Sequence, residues 1–444
     1  MRTRFKAGAA GRAGTAETGT RAPARALTRG ESQWSPFPVW PYQTLADRSP
    51  KDAETWDAFD PSRYLYERYT ERERFSAALA AYYALRPLVP RRLQLALRRA
   101  YVPAQRSRKF PRWPIEPVLV EAQYEHLRGR LRRSGGNPIP FVNFWPDAKR
   151  FCFVLSHDVE SEKGIDAIPD LIEVEQRYGF TSSWNFCAEQ YPIPDGLFDE
   201  LRAAGCEVGL HGILHDGKLF SSRAHFEADL PKIRRYLSDW QVDGFRSPAT
   251  HRRAEWMPEL GCAYDTSFPD TDPFEPIAGG CCSIFPFFID RMVELPITLV
   301  QDHTWFEIMG GRSISPWIDK SEWIIRHHGL INLIFHPDYT TPERLEHYDR
   351  FLRFLRQQQE GWHALPRDVA QWWRTRSSLD LEAVAPGDCT GDPARLQPTI
   401  AYALEEAGNV VFRHDRPGRR MGPLAPARTA ARPTQASGAV PASE

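Results

Sequence analysis

Apolar residues recur at helical spacing in YLYERYTERERFSAALAAYYALRPLVP, where Phe75, Leu79, Tyr82 and Tyr83 share a face until Pro87 and Pro90 interrupt it. From Phe151 onward the pattern changes. Short β-rich runs alternate with helical ones, which predicts an α/β domain with parallel strands. The expected strands are FCFVLSH (151–157), SSWNF (182–186), CEVGL (206–210), VELPI (293–297) and LINLIF (330–335). Between them, Ile168, Leu171, Ile172 and Tyr178 form one helical face, closed by Gly179. Phe226, Leu230, Ile233 and Leu237 form a second behind the cap candidates Ser221 and Ser222. Thr341 and Pro342 open a third helix, with Leu345, Tyr348, Leu352 and Leu355 as its apolar face. WHALPRDVAQWWRTR reads as a closing helix anchored by Trp372 and Trp373.

These patterns divide the chain into four parts. Residues 1–33 are rich in Ala, Gly, Arg and Thr, bury too little apolar surface to offset ordering entropy, and are expected to be disordered. Residues 34–146 form a helical N-terminal extension, 147–376 the α/β domain, and 377–444 a largely disordered C-terminal extension with a short strand pair near 395–415. Within the first extension, the basic run RRLQLALRRAYVPAQRSRK (91–109) sets Leu93, Leu95 and Leu97 at alternating positions among its arginines. That spacing makes a poor helical stripe and suits a solvated face or a lid on the barrel better than a membrane-surface helix.

Composition narrows the function classes. Hydrophobic content of 42% supports a sizeable core, and a formal net charge of zero gives no general attraction to nucleic acid. No apolar run of about 18 residues could span a bilayer. The basic N-terminus lacks the apolar core of a secretory signal, and the seven cysteines contain no C-x-x-C pair; both features point to a cytoplasmic protein with reduced thiols.

Three segments place acids or imidazoles just past an expected strand, the edge where parallel α/β folds bind ligands. In Ser156-His157-Asp158-Val159-Glu160, the two carboxylates are two residues apart and can share a side of an extended chain. In His211-Gly212-Ile213-Leu214-His215, histidines four apart are expected on one face of a helical turn. Glu160, His211 and His215 make a two-imidazole, one-carboxylate set with open positions, the pattern of a catalytic divalent-metal site, with zinc the first choice. His336, at the end of a buried strand, can serve as general acid.

The order of SHDVE, HGILH, RSPAT and LIFHP resembles the NodB-type polysaccharide deacetylases, carbohydrate esterases with a distorted (β/α) barrel, over Trp145 to Trp373. The resemblance implies Asp158 as general base, His211 and His215 as metal ligands, and His336 as general acid. Arg246 would orient Asp158, although a plain ion-pair role reads almost as well. Pro248 would wall the substrate groove, a backbone N–H near Ala249 would bind the oxyanion, and Asp302 would support the site by pairing with Arg246 or tuning His336. Two positions depart from the family. Val159 stands where many members carry the second of two adjacent aspartates, so that Asp158-Val159-Glu160 looks like the D-V-D variant of a sub-group with Glu replacing the final Asp, and Ala249-Thr250 follows Pro248 where an aromatic is often found after R-x-P.

The implied function is hydrolysis of a non-peptide C–N bond, foremost N-deacetylation of an amino-sugar or glycan. Two alternatives stay open: a non-sugar amide or cyclic-imide hydrolase on the same fold, and an inactive glycan-binding module in which Glu160 fails to hold metal.

Overall fold

The computed structural model describes residues 59–70, 89–275, 277–379 and 396–414. The segments expected to be disordered, 1–33 and the tail beyond about 418, lie outside them.

Nine strands form one sheet. They are β2 (Phe151–Val159), β3 (Ser183–Phe186), β4 (Glu207–Leu210), β5 (Gly244–Phe245), β6 (Tyr264–Asp265), β7 (Phe287–Ile289), β8 (Met292–Glu294), β9 (Leu330–Ile334) and β10 (Gly361–His363). All nine residues of β2 are buried, as befits a strand covered on both faces. β9 pairs with one edge of β2; β10 and then β3 pair with the other, and the sheet continues through β4, β5, β6 and β8. These pairings are parallel, and only the terminal β7–β8 pair is antiparallel. The sheet curls until the chain following β8 meets β9. The amides of Thr298 and Leu299 both donate to the carbonyl of Asn332 at 3.2 Å, which closes a distorted barrel.

The helices wrap this barrel: α3 (Ile168–Gln176), α4 (Leu197–Ala203), α5 (Arg223–Asp239), α6 (Ser315–Arg326), α7 (Pro342–Gln357) and α8 (Pro366–Ser377). Ser222 caps α5 by accepting from the His225 amide, and Thr341 caps α7 by accepting from that of Arg344. Four of the nine strands, β5, β6, β7 and β10, have no counterpart among the sequence-predicted runs. At two or three residues each, they are too short to show a period.

Two further helices, α1 (Arg91–Arg106) and α2 (Val118–Arg133), precede the barrel. β1 (Ile139–Val142) pairs with the C-terminal hairpin β11 (Ile400–Glu406) and β12 (Asn409–His414) in a separate antiparallel sheet. Phe412 of this sheet packs edge-on to Phe141, Phe144 and His328, joining it to the barrel core. The basic run 91–109 is helical despite its alternating leucines. Helix α1 lies on the loops around Phe274 and Glu307, where Gln105 donates to the Pro273 carbonyl (2.9 Å) and Arg99 to that of Glu307 (2.8 Å).

Candidate active site

Parallel strands put their C-terminal ends on one rim, and the motif residues emerge there. Asp158 is the penultimate residue of β2 and Glu160 follows that strand; His211 follows β4, Arg246 follows β5, and His336 lies two residues past β9.

The two-residue period of β2 separates its polar side chains. Ser156 and Asp158 both face Arg246, whose guanidinium donates to Asp158 Oδ1 (2.9 Å), Ser156 Oγ (3.0 Å), and the hydroxyl and carbonyl oxygens of Thr266 (3.0 and 2.9 Å). Asn185 adds a second donor to Asp158 Oδ1 at 2.9 Å, leaving Oδ2 to face His211 at 4.0 Å. His157 points the other way. Its ring stacks on Trp184, Nδ1 donates to the Phe335 carbonyl, and Nε2 lies 2.8 Å from Glu175, so it belongs to the core.

The HGILH segment is not the helical turn expected from its spacing. Its backbone is irregular, and Gly212 turns out of β4 at φ +71°, a conformation that favours glycine. A Cβ at Gly212 would also lie 2.9 Å from Pro248, so Pro248 packs against this turn. The two imidazoles still face each other, with ring centroids 5.4 Å apart.

One potential ligand atom from each of Glu160, His211 and His215 lies within 4.8 Å of the others. His211 is pre-set to bind. Its Nδ1 donates to the Arg246 carbonyl at 3.0 Å, so Nε2 carries the lone pair, and that buried atom has no hydrogen-bond partner. Such an orphaned acceptor costs free energy unless something occupies it, and a cation beside a carboxylate fits. His215 Nε2 lies 3.0 Å from Glu160 Oε1. The longer Glu160 side chain has its own supports: Tyr339 donates to Oε2 at 3.3 Å, and Asp338 accepts from the Glu160 amide at 2.9 Å and from Ser161 Oγ.

His336 completes the cluster, with Nε2 3.7 Å from Glu160 Oε1 and Nδ1 donating to Asp302 Oδ1 at 2.6 Å. Of the two supporting roles expected for Asp302, the structure has the contact with His336; the described bonds of Arg246 go to Asp158, Ser156 and Thr266. Ala249 and Thr250 sit at the rim with φ of 54° and 52°, a strained turn fixed by its surroundings.

Charge follows this geometry. Burial alone would raise the Asp158 pKa, but Arg246, with His211 and His336, holds it at about 2. Burial likewise opposes ionisation of Glu160, and the neighbouring His215 keeps it well below the usual carboxylate range. Burial lowers the His211 pKa to about 4. For His336 burial acts in the same sense, but Asp302 outweighs it and lifts the value to about 10.

Sequence reasoning missed Asn185, Thr266, Asp338 and Tyr339. Asn185 had a signal, as a polar residue inside an apolar strand; its amide fits because Gly209 opposite has no Cβ to fill the space.

No protein-family model matches the chain, and no curated protein matches it. Among solved structures, it is similar to a Mycobacterium smegmatis protein provisionally described as a polysaccharide deacetylase (16% identity, 53% of this chain and 94% of that chain, TM-score 0.42). It is also similar to Puue allantoinase (15% identity, 52% and 92%, TM-score 0.42). A third is a Pseudomonas aeruginosa protein, again provisionally described as a polysaccharide deacetylase (15% identity, 53% and 95%, TM-score 0.43). Its strand order, its curl and the placement of its motifs at strand ends make it a distorted (β/α) barrel, the fold class expected from the sequence.

Proposed function

We propose that the chain is a divalent-metal-dependent hydrolase of non-peptide amide bonds that removes an N-acetyl group from an amino-sugar or glycan. One observation carries the reading: Glu160, His211 and His215 converge beside Asp158, whose Oδ1 is held by Arg246 and Asn185, and beside His336, whose Nδ1 donates to Asp302. The three residues suit one ion, zinc by the softness of two imidazoles.

When bound, that ion supplies Lewis acidity and makes water a better nucleophile. The protein's groups do the rest. Arg246 and Asn185 hold Asp158 Oδ1, so that Oδ2 takes the proton of the attacking water. The Ala249 backbone amide, on its strained turn, would share the developing oxyanion. Asp302 fixes the His336 ring through Nδ1, leaving Nε2 to protonate the departing nitrogen.

Elemental analysis of the purified protein tests this. We expect a stoichiometric divalent ion, its loss in His211→Ala, and acetate release from N-acetylated hexosamine oligomers. Protein without such an ion, or unchanged metal content in His211→Ala, would leave the inactive glycan-binding reading in its place. A second substrate class is favoured by Ala249 and Thr250 standing where many deacetylases carry a groove aromatic. Turnover of cyclic imides without acetate release would select it.

A further inference from the structure

Helix α1 turns Gln94, Val102 and Gln105 inward and leaves Leu93, Ala96, Leu97, Ala100, Tyr101 and Ala104 exposed. These positions repeat at three- and four-residue intervals, so they form a single stripe along the outer side of the helix. Leu93, Leu97 and Tyr101 are 50%, 56% and 55% exposed, and Phe110 just beyond the helix is 39% exposed. Arg98 donates to the Phe274 carbonyl and Gln105 to that of Pro273, while Val102 and Leu95 pack in an apolar cluster with Phe274 and Ile308. The helix is therefore fixed on the protein by a mixed polar and apolar side, with Leu93, Leu97 and Tyr101 turned outward.

We propose that this stripe is a docking surface for an anionic lipid membrane, on which α1 lies in the plane of the interface. Charge selects the occupant. Residues 91–109 carry seven Arg or Lys and no Asp or Glu. An apolar stripe within a wholly cationic segment matches the acyl boundary and headgroups of an anionic leaflet. A second copy would set two such cationic segments against each other. Residues 71–88, the segment just before the helix, contain two Glu and three Arg and cannot neutralise it. Among the described residues no helix is long and apolar enough to cross a membrane, so the attachment is peripheral.

Co-sedimentation of the full-length protein with vesicles decides the matter. We expect binding to phosphatidylcholine vesicles containing phosphatidylserine, little binding to phosphatidylcholine alone, and release as salt rises from about 0.1 M to about 0.5 M. Leu93→Gln/Leu97→Gln should weaken binding at least roughly tenfold while leaving the unfolding temperature in place, since both side chains are exposed. Arg106→Glu/Lys109→Glu should weaken it as well, and more at low salt than at high. Equal binding to both vesicle types, no binding to either, or unchanged binding of the leucine variant would overturn the proposal. So would a chain that self-associates through the stripe and ignores vesicles.

Discussion

The backbone carbonyl of Arg246 accepts the Nδ1 proton of His211 at 3.0 Å, while the guanidinium of the same residue grips Asp158 at 2.9 Å. One residue thus fixes the tautomer of a candidate metal ligand with its main chain and the orientation of the candidate base with its side chain.

These two tasks separate by mutation. Arg246→Lys keeps the carbonyl and a positive charge but loses the planar fork that spans Asp158, Ser156 and Thr266. We expect kcat to fall roughly 100-fold with metal content unchanged. Elemental analysis beside steady-state kinetics checks it, and an unaltered kcat would show that Arg246 is a structural ion-pair partner.

Asp302→Asn removes the anion that fixes His336 Nδ1 while keeping an acceptor in place. The expected result is a kcat lower by roughly ten- to a hundredfold, with KM and bound metal as before. A change confined to KM would place Asp302 in substrate binding instead.

Tyr339→Phe deletes the hydroxyl that donates to Glu160 Oε2. Outer hydrogen bonds of this kind orient a ligand, so metal affinity measured by chelator competition should drop roughly ten- to a hundredfold, while the unfolding temperature of the metal-free protein stays level.

Stability should decline as pH rises from mildly acidic to mildly alkaline. Burial pushes Glu207 up to about 7, Asp265 to about 6 and Asp272 to about 8. These groups hold protons in the folded chain at pH values where the unfolded chain has released them. Their contribution is complete below the ordinary carboxylate pKa and is lost as pH climbs through the folded values. Below about pH 6.5 the buried His211 and His328, depressed to about 4 and about 3, oppose this slope. Thermal unfolding of the metal-free parent and of Glu207→Gln between about pH 5 and pH 8 is therefore compared; the variant should fall less steeply, and identical slopes would contradict the assignment.

Five runs of the barrel, the helix caps, and Asp158, Glu160, His211, His215 and His336 of the candidate site were legible because each has a local signature: a buried run, a Ser or Thr before an amphipathic stretch, an acid or imidazole at a strand end; Arg246 and Asp302 came only with the family resemblance. What escaped depends on distance in sequence. Asn185, Thr266 and Tyr339 reach the site only after the sheet has curled. The HGILH segment misled because four-residue spacing fits a helix, whereas Gly212 at φ +71° brings the same imidazoles together through a bent loop. The alternating leucines of 91–109 suggested a poor helical stripe, yet residues 91–106 form one helix, because Leu93, Leu97 and Tyr101 also recur at helical spacing along its exposed side.

The junction at Asn332 has a mechanical consequence. It joins the two chain segments that carry Asp302 and His336, whereas Glu160 and His211 stem from strands paired through the continuous sheet. Transient parting of that seam would pull His336 from Asp302 while Glu160, His211 and His215 stayed together. Fast hydrogen exchange at the amides of Thr298 and Leu299 would then report a candidate site that keeps its possible ligands assembled while its imidazole anchor is momentarily lost.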